Sequence, residues 1–130
     1  MSIFTNTKVL WAARIVAAAI LGQTLFFKFS GAEETIYIFE TLGAEPWGRI
    51  GSGVMEAIAV ILLLTPRFAG IGGLLTMGVM AGAIGAHLTK LGIEVMDDGG
   101  TLFIMALITF AAGTFVAWSR RSQLPIIGRF

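Results

Sequence analysis

Apolar residues run through this chain in four long blocks, and the polar residues gather between them. The blocks extend from about Val9 to Phe29, Trp47 to Thr65, Phe68 to Leu88 and Thr101 to Trp118. Each meets or approaches the ~20 apolar residues that a helix needs to cross a bilayer. Helix is the expected conformation, because a spanning segment in lipid must satisfy its own backbone groups. Pro66 breaks the second block from the third, and only Pro66 and Arg67 lie between them, which predicts a tight helical hairpin. The fourth block follows Asp97-Asp98-Gly99-Gly100-Thr101, a segment with turn glycines and an acid to cap the helix or sit in its first turn. The first block suits a cleavable signal peptide poorly, being long and interrupted by Arg14, Gln23 and Lys28.

Between the first two blocks, Ile36, Phe39 and Leu42 recur near i, i+3 and i+6, with Glu33, Glu34 and Glu40 elsewhere. This spacing predicts a short amphipathic helix over 33–42, lying at the membrane surface. Gly43-Ala44-Glu45-Pro46 ends it. Trp47, with Trp11 and Trp118 near the ends of the first and fourth spans, marks the water boundaries. The predicted fold is all-α: a single transmembrane domain over 1–130, an integral membrane four-helix bundle with a short interfacial helix between spans one and two.

Composition narrows the function classes. Only 13% of the residues are charged, about half the share of a soluble domain, ~25%. Mean hydropathy is +0.86. A formal charge of +1 provides no basic face for nucleic acid. Without cysteine there is no disulfide and no thiolate metal site. The 17 glycines suit helices whose backbones approach closely in lipid. With four spans, both termini share a side with the Pro66-Arg67 turn. That side carries Lys8, Arg67, Arg120, Arg121 and Arg129, with Arg14 just inside; the other carries Lys28, Arg49 and Lys90. The excess of Lys and Arg favours both termini in the cytoplasm.

Candidate chemistry rests on the few polar groups inside the spans. Glu56 is the only acid in any of them, about 12–14 Å from either end of span two. A charge at such depth costs roughly 2.5–3.5 kcal/mol on insertion scales, so it needs a partner, a wet cavity or a proton. By depth, Gln23 is level with it, Lys28, His87 and Lys90 lie above, and Arg14 lies below. Two states stay open. Either Arg14 neutralises Glu56 and staples spans one and two, or Glu56 faces a pocket that opens past His87. Arg14 and Lys28 also read as interfacial snorkellers, and His87 as a helix-end residue. A lone histidine makes no zinc site. The candidate ligand-binding set is Glu56, His87, Gln23, Lys28 and Arg14, with Phe26, Phe27 and Phe29 as apolar wall and no metal expected.

Gly51 preceding Glu56, then Leu62-Leu-Leu-Thr-Pro-Arg67, a Gly/Ala/Met-rich third span ending in His87-Leu88, and Phe27-x-Phe-Ser-Gly31 together resemble the DoxX family. These are small four-helix bacterial membrane proteins, and the resemblance runs from about Leu10 to Trp118. It maps the family's recurring glutamate and histidine onto Glu56 and His87. The lysine that often follows Ser-Gly is Ala32 here, with Lys28 upstream. The resemblance implies a redox-linked subunit that binds a quinone or other small apolar ligand. A buried acid and a histidine can exchange the protons that accompany quinone reduction, while electrons would come from a redox partner subunit. Two other classes compete: a small proton-coupled transporter using Glu56, and a non-catalytic assembly protein whose glycine-rich spans dock a partner; a homo-oligomer is a further partner option.

Overall fold

The computed structural model describes residues 6–94 and 98–123. Asp97 of the predicted turn, Arg129 of the charge count and the tail beyond Gln123 lie outside the described residues. Five helices form: α1 (Thr7–Ser30), α2 (Glu33–Thr41), α3 (Trp47–Leu64), α4 (Ala69–Ala86) and α5 (Thr101–Ser119). All but α2 belong to segments long and apolar enough to cross a membrane, and the α4 segment extends from Pro66 to Leu91. The chain is an all-α, multi-pass membrane-type bundle.

The helix ends have local causes. The Asn6 side chain accepts from the amides of Lys8 and Val9 at the start of α1, an N-cap that satisfies orphan donors. Gly31, at φ +71°, ends the helix in the left-handed conformation that glycine adopts without strain. Asp98 caps α5, accepting from Gly100 at 2.8 Å and Leu102 at 3.1 Å. A single 3₁₀ turn, Pro66–Phe68, joins α3 to α4. The other end of α4 widens into one π-helical turn, His87–Leu91.

Helices α1 and α4 each pack on both α3 and α5, so the bundle closes in the order α1–α3–α4–α5. The inward faces repeat at spacings of three and four. Leu10, Arg14, Ala17 and Leu21 are buried on α1; Gly53, Glu56, Ala59 and Leu63 on α3; Ala69, Gly73, Thr76 and Met80 on α4; Ala106, Thr109, Gly113 and Val116 on α5. This is the seam of left-handed helix packing. The outward faces are apolar as well, with Ile15, Ile61, Leu88 and Ile104 all exposed. The buried faces differ in being richer in small and polar residues, such as Ala17, Gly53, Glu56, Gly73, Thr76, Thr109 and Gly113, as expected where lipid competes for apolar contact. At Gly73 α4 and α5 touch: a Cβ there would lie 2.6 Å from the Gly113 carbonyl oxygen.

The start of α1, the end of α5 and the α3–α4 turn share one end of the bundle. Arg14 donates from Nε to the Leu63 carbonyl at 2.5 Å, and its guanidinium lies 3.7 Å from the Trp11 ring centroid. Gln123 donates to the Pro66 carbonyl and accepts from the Gly70 amide at 2.7 Å. At the opposite end α2 lies across the bundle and closes it.

Candidate functional site

Beneath α2, in the half of the bundle away from the termini, the four long helices enclose a cavity of about 370 Å³. Its wall is mostly apolar, with Ile20, Phe27, Met80, Leu102 and Met105 among the lining residues. The polar groups on it are Thr24 and Lys28 from α1, Thr35 from α2, Ser52 and Glu56 from α3, and His87 at the end of α4. A concave apolar chamber with a few convergent polar groups is the usual form of a small-molecule site.

Glu56 is 0% exposed, and both its carboxylate oxygens are partnered. Oε1 is ion-paired with the Lys28 ammonium, and Oε2 accepts from the Thr24 hydroxyl at 2.8 Å. Lys28 can do this because it lies one turn beyond Thr24 on the same face of α1, the i, i+4 relation of a helix. Arg49 fixes the frame around the pair. It reaches back from the first turn of α3 to donate to the Lys28 carbonyl, while Glu45 holds its Nε at 2.8 Å. The Phe39 ring of α2 covers the pair, its centroid 5.9 Å from the Lys28 ammonium.

His87 is buried at 5% exposure, and its ring lies 5.5 Å from that of Phe103. Its Nδ1 is 2.9 Å from the Gly92 carbonyl. A carbonyl only accepts, so Nδ1 carries the hydrogen; in the neutral ring Nε2 is left as an acceptor. The π-helical turn makes this contact, returning the chain so that Gly92 also donates its amide to the His87 carbonyl at 2.8 Å. Such turns recur at functional sites. The cavity is thus furnished with an ammonium and hydroxyls as donors, and a carboxylate and an imidazole nitrogen as acceptors.

The structure divides the five sequence candidates. Glu56, His87 and Lys28 line the cavity; Gln23 and Arg14 do not. Gln23 is level with Glu56 in depth, but it sits on the exposed face of α1. Arg14 does staple α1 to α3, through the Leu63 carbonyl rather than Glu56. Nor do Arg14 and Lys28 snorkel: both are turned into the protein, because a buried acceptor was within reach of each. His87 is buried rather than facing headgroups. Of the three phenylalanines, Phe27 lines the cavity, whereas Phe26 is 64% exposed. Within α2, Thr35, Ile38, Phe39 and Leu42 face the cavity, while Ile36 packs toward Gly31. Thr24 and Ser52 belong to the site and were not among the candidates; each lies four residues from a charged member, Lys28 and Glu56. Among the described residues, no cluster of His, Cys, Asp or Glu could hold a metal ion.

Comparison with family models, with curated proteins and with solved structures returned no match for this chain.

Proposed function

We propose that this chain is a DoxX-like bacterial membrane protein that holds a small, mainly apolar ligand, a quinone or a molecule of similar form, in the cavity under α2. The observation that carries this reading is the combination of an apolar chamber with a neutralised, hydrogen-bonded pair, Lys28–Glu56, on its wall. Lys28, whose ammonium has three N–H donors, would donate to a quinone carbonyl, and His87 Nε2 would accept from a quinol hydroxyl. Glu56 and His87 would handle protons; electrons would pass from a redox partner subunit. The Lys/Arg excess at the end holding the termini supports an orientation with both termini in the cytoplasm.

The test is equilibrium binding of a short-chain benzoquinone to the purified protein in detergent, followed by thermal shift. Wild-type protein should be stabilised by saturating quinone, and Glu56→Gln and His87→Leu should each weaken binding by about tenfold or more. Equal binding by all three proteins, or no binding by the wild type, would overturn the reading. Because the chain has no cysteine, one cysteine added ahead of Thr7 can report the side of the membrane by its access to impermeant reagents.

A further inference from the structure

A groove on the outer face of the α3–α4 pair adjoins the cavity and shares part of its wall. That groove is entirely apolar, lined by Ile71, Leu74 and Leu75 together with Met55, Gly78 and Val79. The last three line the inner cavity too. The groove follows from how α4 meets α3. Near the hairpin the two backbones touch: a Cβ on Gly72 would lie 2.7 Å from the Leu63 amide nitrogen. One to three turns further along, Gly78 and Gly82 have no atom within 4 Å of an added Cβ. The helices therefore part towards α2, and the missing side chains leave the gap open. Met55 and Leu74, on its two sides, are both more than 40% exposed, on a surface that faces lipid if the helices span the membrane.

We infer that the ligand is a chain-bearing amphiphile taken from the bilayer. Its polar head sits at Lys28, Glu56 and His87, and its apolar chain leaves between α3 and α4 along the Gly78 groove. This rests on the proposal that the cavity binds a ligand, and it adds the ligand's class and route. A water-soluble molecule without a chain would leave the groove unused. Entry through α2 would require Phe39 to leave the Lys28–Glu56 pair, whereas the lateral route crosses only apolar side chains and glycine.

The experiment compares two probes in one detergent: a dimethoxy-methyl-benzoquinone without a side chain, and the same ring carrying a decyl chain. Each is titrated against wild type, Gly78→Ala and Gly78→Leu, all checked for folding by circular dichroism and thermal unfolding. In wild type the chain should raise affinity by about tenfold or more, and Gly78→Leu should remove most of that gain. Gly78 borders the cavity as well, so Gly78→Leu should weaken the chainless ring too, but by less than it weakens the decyl probe, and Gly78→Ala should lie between. Since all variants share the micelle, the chain's partitioning into detergent cancels between them. An equal chain effect in wild type and Gly78→Leu would overturn the lateral route while leaving the binding cavity standing. Failure of both probes on wild type would overturn the cavity reading and this inference with it. Should Gly78→Leu fail to fold, Leu74→Trp, on the groove wall and off the cavity wall, tests the same route.

Discussion

Replacing Lys28 with methionine should harm this protein more than neutralising the acid it pairs with. In the native bundle the Glu56 carboxylate is held by the Lys28 ammonium and the Thr24 hydroxyl, and its side chain is 1% exposed. Lys28→Met leaves the carboxylate with the hydroxyl alone, about midway along a spanning helix. Breaking a buried ion pair on one side costs roughly 3–5 kcal/mol, a large part of a typical total stability of about 5–15 kcal/mol. Glu56→Gln is different. The Gln carbonyl still accepts from Thr24, and Lys28, 15% exposed near the end of α1, can extend towards the headgroups. That change should cost about 1–2 kcal/mol, the scale of one net hydrogen bond. The double variant Lys28→Met/Glu56→Leu should recover most of the Lys28→Met loss, since an ion pair replaced by apolar groups is often neutral. The assay is reversible unfolding in mixed micelles, followed by circular dichroism at one detergent-to-lipid ratio. If Lys28→Met costs less than about 1 kcal/mol, or less than Glu56→Gln, the pair is not what keeps the carboxylate in the bundle.

Three further outcomes follow from the packing. Gly73→Val, placed where even a Cβ would meet the Gly113 carbonyl, should destabilise by about 1–3 kcal/mol or prevent assembly of α4 on α5, whereas Gly78→Ala should be neutral or stabilising by up to about 1 kcal/mol; both read by the same unfolding assay. Arg14→Met removes the bond to Leu63 and the stacking on Trp11 and should cost about 1.5–3 kcal/mol, while quinone affinity stays within about twofold because Arg14 is absent from the cavity wall. Asp98→Ala should cost about 1 kcal/mol through loss of the α5 cap, and should speed amide hydrogen exchange in the first turn of α5.

The spans were legible because hydropathy along a chain measures the same property that lipid selects. The four blocks read from the sequence end within three residues of the helices, and Pro66 and Gly31 end helices for local reasons. Depth was legible too, since rise per residue is fixed. Azimuth was the weaker part. Gln23 and Thr24 differ by about 1.5 Å in depth but by 100° around α1, and only Thr24 continues the buried stripe through Leu10, Arg14, Ala17 and Leu21. That stripe recurs in the sequence at threes and fours, yet hydropathy conceals it because Arg14 and Thr24 lie on it while apolar residues such as Ile15 and Phe26 face outward. Side-chain reach was the other loss. Lys28 and Arg14 are long enough to snorkel or to turn inward, and the choice depends on which acceptor the neighbouring helix presents. For Arg14 it was a carbonyl at the end of α3, which no pattern of side chains announces. The same applies to the π-helical turn at His87, whose cause is the returning Gly92.

The charge of the site bears on what it can accept. Lys28 and Glu56 cancel, so the cavity is neutral as it stands and can remain so only with a neutral guest. A cationic or anionic head would add an unpaired charge to a chamber with mostly apolar walls, at a cost of several kcal/mol. It could avoid that cost only by displacing Lys28 or Glu56 from its partner. A benzoquinone and its quinol are both uncharged and differ in presenting acceptors or donors, and the wall offers both kinds of group. Exchange of a cation for a proton at Glu56 would first require the Lys28 ammonium to leave its partner. The same neutral pair that keeps a carboxylate tolerable in the membrane therefore favours an uncharged, hydrogen-bonding ligand over proton-coupled transport of ions.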